Sequence, residues 1–137
     1  MSGRTEQDGG EERLRPPPAE RFKGPSHVFD LDEVAKRLRS EDHPSRHGHR
    51  QMTLFQRDHI THVAFAFEQD GHLPEHSAPG LVTIHVHSGR LKVAENGREH
   101  DLVSGQVLVL APGVAHDVRA SEESIMMLTV HVDRAGH

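Results

Sequence analysis

Histidine is the residue through which this chain could do chemistry. It occurs 14 times in 137 residues, against no cysteine, tyrosine or tryptophan. A neutral imidazole offers a lone pair to Fe(II), Mn, Ni, Cu or Zn, and it changes charge near neutral pH. If free imidazoles titrate near pH ~6.5, about half are charged there, adding roughly +7. That would reverse the net charge of −5 that the chain carries with histidine neutral. Other chemistries find few carriers. Without cysteine there is no thiolate metal site and no disulfide. No serine stands in a Gly-x-Ser-x-Gly elbow, and no Gly-x-x-x-x-Gly-Lys phosphate loop occurs. Glu75 and Asp117 adjoin His76 and His116, so strand alternation turns each carboxylate away from its neighbouring imidazole.

Short strands must position these histidines. Between Gly71 and His116, apolar runs are separated by Pro-Gly, Ser-Gly and Asn-Gly. That rhythm predicts an all-β sandwich or barrel. The expected strands are Met52–Phe55, His59–Glu68, Leu73–His76, Val82–His87, Leu91–Ala94, Arg98–Val103, Gln106–Leu110, His116–Arg119 and Ile125–Val132. Asn96-Gly97 is the strongest hairpin signal, because a type I′ turn needs two residues tolerant of positive φ. In His59–Glu68, Val63, Phe65 and Phe67 share one face; His62, Ala64 and Ala66 share the other. His85 and His87 lie on the face opposite Val82.

Ahead of the strands, one helix is expected over 30–40. Asp30 is its N-cap, Glu33 takes the capping-box position, and Leu31, Val34, Ala35 and Leu38 form an apolar stripe. So short a helix needs a surface to lie on: the outside of the barrel or a partner subunit. Residues 1–25, rich in Glu, Arg, Gly and Pro, read as a disordered tail. Residues 41–50 read as a polar connection with His47 and His49 solvated. The expected organisation is therefore a tail (1–25), a helix and connecting segment (26–49) and a barrel (50–137).

Residues 50–132 resemble the cupins, small double-stranded β-helix (jelly-roll) barrels. Gly71, His76, Ala78, Val82 and Gly89 fall on the first cupin motif. Gly105, Ala111-Pro112-Gly113, His116 and Ala120 fall on the second. The resemblance places His76 and His116 on two of four metal-ligand positions and Ala78 and Val82 on the other two. It implies a divalent transition metal (Zn, Ni, Fe or Mn) at His76 and His116. A third ligand could come from His62, then His85, then His72. The last shares the parity of His76 but sits about 13 Å away along a strand. The function this implies is binding or sensing of a small molecule in the barrel. The alternative is a metal-dependent cupin enzyme, a dioxygenase or isomerase.

Charge and length bound the partners. The acidic balance argues against nucleic acid. No apolar run approaches the roughly 18 residues of a membrane span, and the polar N-terminus lacks the apolar core of a secretory leader. A cytoplasmic location is expected. The runs Val107–Leu110 and Ile125–Val132 are apolar on both faces, which predicts a homodimer through the outer face.

Overall fold

The computed structural model describes residues 22, 24–42 and 44–132. Most of the segment expected to be a disordered tail, residues 1–21, lies outside the described residues, as do the last five. The chain forms one helix, α1 (Leu31–Arg39), and nine strands. They are β1 (His49–Arg57), β2 (Ile60–Phe67), β3 (His72–His76), β4 (Leu81–Ser88), β5 (Arg90–Glu95), β6 (Arg98–Val103), β7 (Val107–Leu110), β8 (His116–Ala120) and β9 (Ser124–His131). A five-stranded antiparallel sheet in the order β1-β2-β9-β4-β7 faces a four-stranded sheet in the order β3-β8-β5-β6. All nine expected strands are present, and they form the expected all-β jelly roll of two antiparallel sheets.

Strand alternation divides the apolar residues into two cores. Val63, Phe65 and Phe67 of β2 point between the sheets, where they meet Val82, Ile84, Val86, Leu91, Val93, Val118, Met126 and Leu128. On the outside of the five-stranded sheet, Met52, Leu54, Ala64, Ala66, Ile125 and Met127 pack under Ala35 and Leu38 of α1. Ala64 and Ala66 are small because a helix lies on them, not because they line a cavity. The outward side of β9 is likewise sealed by the chain's own helix at Ile125 and Met127. The apolar face expected there for a partner is therefore not free. Val107 and Val109 of the edge strand β7 do remain exposed, at 54% and 56%.

The helix is held as its sequence implies. The Asp30 carboxylate accepts from the backbone N–H groups of Asp32 (3.0 Å) and Glu33 (3.1 Å). Contacts begin earlier than expected, within the segment assigned to the tail. Phe22 packs edge-on against Phe55 (5.8 Å), and Arg57 lies over the Phe22 ring while donating to Gly24 O (3.3 Å). At the β5–β6 turn, Asn96 (φ +49°) and Gly97 (φ +76°) are both left-handed, and the register runs Glu95–Arg98, Ala94–Glu99, Val93–His100.

Candidate functional site

The end of the four-stranded sheet carries the first site. β3 pairs with β8 so that His76 and His116 are direct partners. Their ring centroids are 4.3 Å apart, with the planes inclined at 57°. His116 follows the parity of Val118 and Ala120, which face the barrel interior, and it is 1% exposed. Each ring is oriented by a carbonyl two residues upstream. His76 Nδ1–H donates to Pro74 O (2.9 Å) and His116 Nδ1–H to Val114 O (3.1 Å). In a neutral ring so fixed, Nε2 is the acceptor nitrogen. His116 Nε2 is buried and has no partner. Burial lowers the His116 pKa, the nearby His76 lowers it further, and the Val114 carbonyl opposes the shift.

The residues expected at the remaining ligand positions both face inward without donors. Val82 is buried in the interior core, and Ala78 packs against it half-buried. None of the candidate completions joins the pair. His62 and His85 line a groove on the outer face of the five-stranded sheet, because His62 shares the parity of Ala64 and Ala66. The His72 ring lies beside that of His47 instead (4.9 Å, planes inclined at 49°). Among the described residues no three His, Asp or Glu side chains gather as a metal site. Two imidazoles fall short of the three protein ligands of a catalytic centre, so the donor set does not fit a resident metal of the complete cupin kind.

Two polar features near the interior were not anticipated. His49 is buried in β1 rather than solvated in a connection, and its ring lies 5.5–5.6 Å from those of Phe65 and Phe67. Its Nδ1–H donates to His72 O (3.0 Å), and its Nε2 lies 3.3 Å from the amide end of Gln51. Burial is the main cause of its lowered pKa. Gly48 makes the position possible: a side chain there would strike Gly71 Cα at 2.7 Å, where the two backbones cross. The second feature is a hydrogen bond from His100 Nε2–H to the Glu95 carboxylate (2.9 Å). The β5–β8 ladder ends at Ala94–Asp117, and one further step sets Glu95 opposite His116 on the inward face. Counting from the Asn96-Gly97 turn would have found it, since the register puts His100 beside the inward-facing Val93.

Comparisons with known proteins agree with this architecture. An uncharacterized protein with a double-stranded β-helix domain from Klebsiella pneumoniae superposes with a TM-score of 0.66 at 23% identity, covering 82% of this chain and 95% of that one. A cupin superfamily protein from Desulfitobacterium hafniense gives 0.63 at 18%, covering 89% and 94%. An RmlC-like cupin from Shewanella frigidimarina gives 0.63 at 19%, covering 81% and 96%. At these identities the likeness is one of fold. No curated protein matches the chain. The family described as AraC-like ligand binding domain matches residues 59–135, more than half of the sequence. With the barrel and its inward histidines described, the conclusion is that this chain is a small cupin belonging to the AraC-like ligand binding domain family.

Proposed function

We propose that the chain is a small-molecule-binding module whose ligand docks at His76 and His116. The observation that carries this reading is the buried, unpartnered Nε2 of His116. A buried acceptor left unsatisfied costs about 1–3 kcal/mol, and a ligand donor in the barrel would recover that cost. Both rings are locked by backbone carbonyls with Nε2 as acceptor, and the Glu95 carboxylate sits at the adjoining register position. A set of acceptors selects donor-bearing molecules: polyols, sugars or amines. The ligand binding family of the chain supports the same class of role.

The test is an NMR screen of small polyols and amines against chain carrying 15N-labelled histidine. Binders should move the imidazole signals of His76 and His116. They should also lose about ten-fold or more in affinity in His116→Ala, the loss of one charge-neutral hydrogen bond plus its packing. Binders that leave both rings unmoved and bind His116→Ala as they bind the parent would overturn the reading.

A further inference from the structure

A second pair of histidines stands on the opposite side of the five-stranded sheet. The outer-face register runs Phe55–His62–Thr129–Thr83 across β1, β2, β9 and β4, and His85 follows Thr83 on the same face. His62 and His85 therefore stand diagonally across β9, with Thr129 opposite His62 and Thr83 two residues before His85 on the same face. Thr129 Oγ1 is 3.5 Å from His62 Nδ1, at the limit of a hydrogen bond. Leu31, the first residue of α1, stands at this row. The segment before it and the edge strand β7 leave a groove of about 420 Å³, walled by Phe29, Leu31, Phe55 and Val107. That volume is in the range of small-molecule sites.

We propose that this groove is a second ligand site, distinct from the barrel interior, that takes a small hydrophobic carboxylate. The carboxylate lies over Thr83 and Thr129 between His62 and His85, and the apolar body lies against Phe29 and Phe55. The chemistry of the walls selects this class. Among the described residues the lining holds no Asp, Glu, Lys or Arg, and its titratable groups are the two imidazoles. Two like-charged imidazoles facing one groove repel when protonated, and an anion between them removes the repulsion. Burial and the neighbouring His85 both lower the His62 pKa, so carboxylate binding draws a proton onto His62.

The surrounding charges do not compete for that role. On α1, Asp32 accepts from His87 Nε2 (3.0 Å). The His27 ring lies against Phe29 (4.4 Å), and Arg57 lies over Phe22 (4.6 Å). β7 contributes Val107, and β9 contributes Met127 and Thr129, all uncharged; His131 is further along β9, paired with Ile60 and Leu81.

The experiment titrates the full chain with benzoate and with its neutral counterpart benzamide, observing histidine ring signals by NMR. Benzoate should shift His62 and His85 and leave His76 and His116 in place. It should bind about ten-fold tighter near pH 6 than near pH 8, the interval over which imidazole takes up its proton. Benzamide should bind more weakly and without that pH dependence. His62→Gln and Thr129→Val, each still giving a folded spectrum, should weaken benzoate binding about five-fold or more, as loss of a polar contact does. Shifts confined to His76 and His116 would overturn the proposal while leaving the barrel site intact. Equal binding of benzamide would overturn it too. So would a second copy of the chain covering Val107 and shutting out both probes.

Discussion

His76 and His116 are direct cross-strand partners whose rings lie 4.3 Å apart, each tied through Nδ1 to the carbonyl two residues before it. The two backbone bonds set ring orientation without using a second side chain. Both Nε2 atoms are thereby kept as acceptors, and only one ring, His116, is fully buried. Such a pair can accept two hydrogen bonds or offer two donors to a metal.

As a metal site it should be weak. With Ala78 and Val82 in place of donors, Zn or Ni is expected to bind exchangeably and only when both imidazoles are present. Calorimetric titration of untagged protein should show that His76→Ala and His116→Ala each abolish it. Ala78→His adds a third imidazole at a half-buried inward position, and should tighten binding about ten-fold or more, since each ligand and its supports contribute on that scale. Binding that survives both alanine variants would place the metal among other histidines.

Acid should destabilise the fold. His49, His62 and His116 are all held below the ordinary imidazole value of 6.5, in each case chiefly by burial. Their folded state therefore binds fewer protons than the unfolded state. The stability they contribute is complete above about pH 6.5 and is lost as pH falls from there through their lowered folded values. Urea midpoints at several pH values between 8 and 5 check this. A midpoint that stays level, or rises, on acidification contradicts the burial of these rings.

The helix should be part of the folding unit. Leu38 is 1% exposed and shares one buried cluster with Ala64, Ala66 and Met127. Leu38→Ala should cost about 2–5 kcal/mol, the usual range for truncating a buried leucine. Asp30→Ala should cost about 1 kcal/mol through the lost cap. A single cooperative transition that moves in both variants, by circular dichroism and by histidine NMR alike, is the expected result; an unmoved barrel transition in Leu38→Ala would show that the helix docks weakly.

Self-association should use the edge that the helix leaves bare. Val107 and Val109 are more than half exposed on β7, whose outer edge has no strand partner in the sheet. A second copy adding its own β7 at that edge would extend the sheet beside Val109 without closing over the groove that Val107 walls. Sedimentation equilibrium at micromolar concentration should give twice the 15.3 kDa chain mass. Val109→Asp, which places a charge in that contact, should return the chain mass. A parent that sediments as a monomer removes this expectation.

Much of the barrel was legible in the sequence because strand alternation and turn chemistry are local. Asn96-Gly97 alone sets the β5–β6 register, and the alternation in Val82–His87 alone separates Val82 from His85. Asp30 and Leu38 likewise marked the helix and its buried stripe. Which side of a strand becomes the interior is not local. Ala64 and Ala66 are compatible with a cavity or with a docked helix, and only the packing of α1 on β2 decided between them, carrying His62 to the outside. The polar neighbours of His49 point to a solvated ring. Its burial depends on Gly48 crossing Gly71 and on the rings of Phe65 and Phe67, contacts between residues far apart in the chain. The outer face of β9 follows the same logic: periodicity shows that Ile125 and Met127 must be covered, and tertiary structure buries them in one cluster with Ala35 and Leu38 of α1. The residue types of His76 and His116 were plain from the start. Their partnership at 4.3 Å, with one acceptor nitrogen left buried and unanswered, exists only because β3 and β8 are neighbours in the folded sheet.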